Sequence, residues 1–114
     1  LENWYDERRQ VIYHDALTRM HNKLSHKGIL KPDLQIRKMT VRWGSCLTRE
    51  QKIILNKNLI IAPKHCIDYV VLHELLHFIY PDHDEHFFNQ LQLHMPDWKE
   101  RKRILDEEVV RKIF

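Results

Sequence analysis

His73 and His77 stand four residues apart, Glu74 directly follows the first of them, and His83 comes six residues after the second. Residues at i and i+4 of an α-helix lie one turn apart on the same face, so both imidazoles can reach one cation. The glutamate beside the first imidazole is placed to act on a water held by that cation. This is the HExxH pattern of zinc hydrolases. A third imidazole from beyond the helix makes three protein ligands and leaves one tetrahedral position open for water, which separates a catalytic zinc from a closed structural one. Zinc lowers the pKa of its water from about 15.7 to near 7, so a carboxylate can take the proton. Glu74 is therefore expected to act as general base and then to hand that proton to the leaving group.

The third ligand has competitors. His83 has the offset of the last histidine in HExxHxxGxxH, with Tyr80 in place of the glycine and Pro81-Asp82 left to make the turn. His86, one helical turn further on, and the carboxylates of Asp82, Asp84 and Glu85 are the other candidates. Spacing favours His83. Cys66, seven residues before His73 on about the same helix face, is a conceivable fourth ligand, but it better suits a small buried side chain. His14, His21, His26, His65 and His94 share no ligand spacing and read as surface or boundary residues. Tyr80 is a candidate for oxyanion stabilisation, although it shares the helix of the ligands.

These residues need a frame. From Pro63, a residue tolerated at a helix start, to Tyr80, the chain is apolar on nearly every side: Ile67, Val70, Val71, Leu72, Leu75, Leu76, Phe78 and Ile79. Such a helix is a buried central one. Burying His73, Glu74 and His77 in it is costly unless they have partners, and a metal is the economical partner. Pro81 is expected to end the helix. Asp82 or Asp84 then caps a second helix with Phe87, Phe88, Leu91 and Met95 facing inward. After the Met95-Pro96 break, Asp97 and Glu100 have the spacing of a capping box for a last helix whose stripe is Trp98, Leu105, Val109 and Ile113.

Upstream, residues 3–27 read as a helix, with Ile12, Ala16, Met20 and Leu24 as its stripe, Val11, Tyr13 and Leu17 widening it, and Gly28 as terminator. Residues 34–43 read as extended, with a change of parity that predicts a bulge or break near Lys38. Gly44-Ser45 is expected to turn the chain, and residues 52–56 to form the second strand of a hairpin. Leu59, Ile60 and Ile61 suggest a short third strand.

With 114 residues, 43% hydrophobic and 31% charged, and only 2 Gly and 4 Pro, the chain reads as a single helix-rich domain over residues 1–114. No apolar run approaches the ~20 residues of a membrane span, so no membrane role is expected. The start, Leu1-Glu2-Asn3-Trp4, has no secretory pattern and no initiator Met, as in a trimmed or partial product. A net charge of +3 is spread among mixed signs, which suits solvated helix faces more than a nucleic-acid footprint. Cys46 and Cys66 form no CxxC pair and fit two free thiols in a reducing compartment, so a cytoplasmic location is expected.

Taken together, residues 39–46 (Met39-Thr40-Val41-Arg42-Trp43-Gly44-Ser45-Cys46), Ile54-Leu55-Asn56 with Leu59, and residues 67–77 up to His77 make a more specific pattern than HExxH alone. With His83, Phe87-Phe88 and Met95-Pro96-Asp97-Trp98 they cover most of residues 36–100. This sequence resembles the YgjP-like zinc metallopeptidase family, related to the SprT and WLM groups of zincins. The resemblance implies a zincin-like α+β fold: an N-terminal helix, a small sheet, a buried active-site helix and two C-terminal helices. It also implies zinc as cofactor, with His73, His77 and His83 as ligands and Glu74 as the catalytic carboxylate. Two departures go with it: Phe88 stands where the family usually has Trp, and the β-rich segment that typical members carry before the first helix is expected to be absent. The role of the Trp43-Gly44-Ser45-Cys46 stretch is mainly structural on its composition.

The leading expectation is a zinc-dependent peptidase acting on a peptide or protein, with an exposed strand edge aligning an extended substrate. A metal-dependent nucleotide phosphohydrolase is the alternative, since activated water can attack phosphorus and the basic balance suits phosphate. A nucleic-acid-associated protease or binding module is a third, drawn from the SprT-like relatives; it would show steeply salt-dependent DNA binding.

Overall fold

The computed structural model describes the backbone of residues 2–113 and the side chains of residues 3–112. Helix α1 (Glu2–Lys23) and a 3-10 turn (Ser25–Lys27) precede three strands, β1 (Asp33–Arg37), β2 (Gly44–Leu47) and β3 (Lys52–Asn56). A 3-10 helix (Lys57–Ile61) leads into α2 (Lys64–Leu76), then α3 (Glu85–His94). The last helix is made of α4 (Trp98–Arg103), a π-helical segment (Ile104–Val109) and α5 (Val110–Ile113). The fold is the expected α+β arrangement. Among the described residues no helix is long and apolar enough to cross a membrane.

Helix α2 is the hub. Helices α1, α3 and α4 and strands β2 and β3 all pack on it. Its Cys66, Ile67, Val70, Val71, Leu72, Leu75 and Leu76 are buried, as an all-apolar helix requires. Helix α1 buries Tyr13, Ala16, Leu17 and Met20, while Val11, expected to widen the stripe, is 69% exposed. The Tyr13 hydroxyl donates to the carbonyls of Asn56 (2.8 Å) and Lys57 (3.2 Å), tying α1 to the end of β3. Helix α1 stops at Lys23, earlier than the pattern suggests. Its final turn tightens to 3-10, and Gly28 closes it at φ 72°, a left-handed conformation that glycine adopts without strain.

The sheet order is β1-β3-β2. Strand β1 pairs with β3 in parallel, Leu34 opposite Ile53, and β2 pairs with β3 antiparallel, Cys46 opposite Ile53. The expected extended stretch over residues 34–43 thus breaks after Arg37, beside the predicted change of parity. Gly44-Ser45 is not a turn; it begins β2, and the hairpin is β2–β3, closed by the Thr48–Gln51 turn. In that turn Gln51 sits at φ 49° and its carbonyl accepts from the Asp33 N–H at 3.0 Å, which locks β1 alongside.

Buried Asn56 explains both misread segments. Its Nδ2 donates to the carbonyls of Met39 (3.0 Å) and Arg42 (2.8 Å), holding residues 38–43 as an ordered loop rather than a strand. Its Oδ1 accepts from the Asn58 N–H at 3.0 Å, and this turns the chain into a 3-10 helix where a third strand over Leu59, Ile60 and Ile61 was expected.

At the C-terminal side, Asp84 caps α3 by accepting from the Phe87 N–H at 3.1 Å. Phe87, Leu91 and Met95 are buried, but Phe88 is 38% exposed, stacked on the outer side of Trp98. No capping box forms at Asp97. Its carboxylate is taken by Arg101 and that of Glu100 by Arg103, because the guanidinium forks on the next turn compete for both. Trp98, Leu105 and Val109 are buried as expected; the side chain of Ile113 lies outside the described residues.

Candidate metal centre and substrate cleft

Helix α2 ends at Leu76, four residues short of the expected proline stop, and the way it ends shapes the site. The N–H groups of His77, Phe78 and Ile79 bond three residues back, to Glu74, Leu75 and Leu76, a tightened final turn. That tightening swings the Tyr80 carbonyl back to 3.0 Å from His77 Nδ1. A carbonyl only accepts, so Nδ1 carries the proton and Nε2 keeps its lone pair for a cation. Residues 81–84 then return the chain, and His83 Nε2 comes to 2.8 Å from His77 Nε2.

His73, His77 and His83 each offer a ring nitrogen within 4.8 Å of the others, and this is the one such cluster among the described residues. Ligand nitrogens around a tetrahedral zinc stand about 3.3 Å apart, given bonds of about 2.0–2.1 Å. The three imidazoles therefore fit a small divalent cation with shifts of well under an ångström for the closest pair. Burial, together with the rings of His73 and His77, pushes the His83 imidazole below its ordinary range against the opposing pull of Glu74 and Asp82, which favours the neutral, ligating form.

Beneath the three rings lies a residue that spacing did not single out for the site. Buried Phe87 stacks on His77 with centroids 4.7 Å apart at 23°, and its ring lies 5.0 Å from both His73 and His83, nearer edge-on. The Asp84 cap fixes the start of α3 and so fixes this plate. The other candidates lie elsewhere. Asp82, Glu85 and His86 are not part of the three-imidazole cluster, Asp84 is committed to its cap, and Cys66 is buried against the His65 ring. Tyr80 contributes its carbonyl rather than its hydroxyl, which accepts from Lys27 Nζ at 3.3 Å away from the cleft.

Glu74 is 8% exposed, and its Oε2 accepts from His73 Nδ1 at 3.1 Å. It opens into a cleft of about 590 Å³. One wall of the cleft is the α2 face from Tyr69 to His77; the facing wall is Arg42–Cys46, the end of the Asn56-clamped loop and the first half of β2. Lys102, Leu105 and Asp106 close a third side, the last two from the π-helical segment, whose wider turn re-aims them; sequence periodicity carries no signal for such a segment. Gly44 has a specific job here. A Cβ on it would stand 3.0 Å from Val70 Cγ1, 3.2 Å from the Ile54 carbonyl and 3.3 Å from Glu74 Cγ, so the absence of a side chain lets β2 close on the glutamate. Burial first, and the Glu74 charge second, push the Cys46 thiol up to about 12. Burial, with the charges of Asp106 and Glu74, likewise pushes the Tyr69 phenol upward, so it stays protonated.

Comparison with known proteins agrees with this arrangement. The family described as YgjP-like, metallopeptidase domain, matches residues 1–108. No curated protein matches the chain. Among solved structures, the metallopeptidase zymogen abylysin of Pyrococcus abyssi superposes with a TM-score of 0.72 at 19% identity, covering 84% of this chain and 94% of that one. Jannalysin, a metallopeptidase zymogen of Methanocaldococcus jannaschii, gives a TM-score of 0.71 at 20% identity, with 90% of each chain covered. At these identities the two structures share the fold of this chain.

Proposed function

The chain belongs to the YgjP-like family of metallopeptidase domains, and from that premise we propose that it is a zinc peptidase that hydrolyses peptide bonds with Glu74 as general base. The observation that carries the reading is the convergence of three imidazole nitrogens within 4.8 Å beside a carboxylate that opens into a cleft. His73, His77 and His83 would hold the metal. When bound, zinc supplies Lewis acidity toward the scissile carbonyl and acidifies water.

The protein groups do the rest. Glu74 takes one proton from the attacking water and delivers it to the leaving nitrogen, so a water and a peptide become a carboxylic acid and an amine. The low exposure of Glu74 keeps bulk water from competing for that proton. Strand β2 ends the sheet and lines the cleft, so an extended peptide can add to its open edge by backbone hydrogen bonds. The cleft's basic residues are Arg42 and Lys102, and Lys102 is neutralised by Asp106 at 2.6 Å, a balance that suits a peptide better than a nucleotide polyphosphate. Cys46 and Cys66 are unpaired, which supports a reducing compartment such as the cytoplasm.

The test is Glu74→Gln. It should keep stoichiometric zinc and lose peptide cleavage by about 10²-fold or more. Full activity with zinc retained would end the general-base assignment. His83→Ala, assayed for metal content, should lose zinc; unchanged occupancy would move the third ligand elsewhere.

A further inference from the structure

Tyr69 stands one helical turn before His73 on α2 and lines the same cleft. Its ring is held on two sides: it stacks on Trp98, with centroids 6.4 Å apart at 15°, and meets His73 nearly edge-on at 5.9 Å. A ring held this way has little freedom to reorient. The side chain is 7% exposed. Yet no protein group among the described residues hydrogen-bonds its hydroxyl, and that oxygen is not among the fully enclosed atoms lacking a partner. It therefore opens to the cleft. A fixed phenol with no protein partner, open to a cleft, keeps a donor that an entering ligand can take over from water.

The position says what. The histidines converge from the C-terminal end of α2, Glu74 lies in the middle, and Tyr69 closes the N-terminal side of the same face. We propose that Tyr69 is a catalytic residue whose hydroxyl donates a hydrogen bond to the carbonyl oxygen as it becomes an oxyanion. The proposal rests on the peptidase reading above. The phenol keeps its proton throughout; the new bond is the water oxygen to the carbonyl carbon, the electron pair of the C=O moves onto oxygen, and Tyr69 stabilises that charge. Donors aimed at developing charge act on the transition state more than on the bound substrate, so the effect belongs in kcat.

Tyr69→Phe tests this, because the ring and its contacts with Trp98 and His73 remain and only the hydroxyl is lost. On the zinc-loaded full chain, kcat should fall about 10²-fold, the usual consequence of losing one oxyanion donor, with KM within about twofold and zinc content unchanged. A phosphinic peptide, whose tetrahedral oxygens mimic the intermediate, should bind the variant about 10²-fold more weakly by calorimetry. Unchanged affinity for the phosphinic peptide overturns the proposal, as does a loss carried wholly by KM. If the zinc-loaded wild type cleaves no peptide, the peptidase reading fails, and the ratio of phosphinic affinities still decides the role of Tyr69.

Discussion

The ring of Phe87 lies 4.7 Å from that of His77 and within 23° of parallel to it. A flat, buried hydrocarbon face set against an imidazole fixes the ring plane without competing for its nitrogens. The Tyr80 carbonyl fixes the same ring in the plane, through Nδ1. His77 is thus held by two contacts of different kind, one apolar and one polar, before any cation arrives.

Phe87→Leu keeps most of the buried volume and removes the flat plate. Supporting groups of this kind typically govern metal affinity by about 10–100-fold, so the zinc Kd of the variant should rise by that factor. Competition with a chromophoric chelator measures it. An unchanged Kd, in a variant that remains folded by circular dichroism, would show that the plate does not orient the ligands.

Asn56→Ala should destabilise the protein by about 2–4 kcal/mol, since the Met39 and Arg42 carbonyls and the Asn58 N–H lose their partner together. Urea denaturation gives the value. Peptide cleavage should fall as well, because the clamped loop is one wall of the cleft. Metal content should stay whole, as the histidines lie on other elements.

Gly44→Ala brings a methyl group to 3.0–3.3 Å from Val70, the Ile54 carbonyl and Glu74. Contacts that tight force a shift of a few tenths of an ångström, and Glu74 is the movable neighbour. The expected result is zinc binding intact with kcat reduced about tenfold or more, in line with the sensitivity of proton transfer to placement. A variant with wild-type kcat would mean that the strand, not the carboxylate, yields.

The thiols should be poorly reactive. Cys46 is pushed up to about 12 and Cys66 to about 11, each chiefly by burial, so at pH 8 Cys46 carries roughly a thousandfold less thiolate than an ordinary cysteine. The sign for stability follows from proton binding. Between the ordinary thiol range and about 11–12 the unfolded chain gives up protons that the folded chain keeps, so stability declines as pH rises through that window. Alkylation at pH 8 should be slow in the native protein and fast in urea. Fast native labelling of Cys46 would contradict so firmly held a thiol proton. Glu74→Gln should speed labelling of Cys46 somewhat, since the Glu74 charge is part of what holds the proton.

What could be read from residue types was the local part of the design. The i, i+4 pair His73 and His77, the offset of His83, a cap at Asp82 or Asp84 and the apolar saturation of α2 are all short-range patterns, and the structure brings those histidines together. Patterns with no local signature were lost. A parallel β1–β3 pair looks, in a linear reading, like a neighbour in a hairpin, because alternation reports a face and not a partner. Gly44 looks like a turn residue until the helix pressing on it is known. The π-helical segment has no periodicity of its own, and Phe87 looks like any core aromatic until three rings are seen around it. Asn56 belongs to the same class: one amide satisfied across a loop that composition reads as strand.

The three clustered imidazoles and the Phe87 ring beneath them come from a single uninterrupted stretch, from His73 to Phe87, closed by a turn and a helix cap. The facing wall of the cleft is brought in from Arg42–Cys46, far earlier in the chain. Short chain closures cost little entropy and long ones more. By that measure the convergence of the imidazoles is a more local event than construction of the cleft, which needs β2 in place. The same division applies to inheritance: changes around β2 can reshape one wall of the cleft without touching the stretch that carries the three imidazoles.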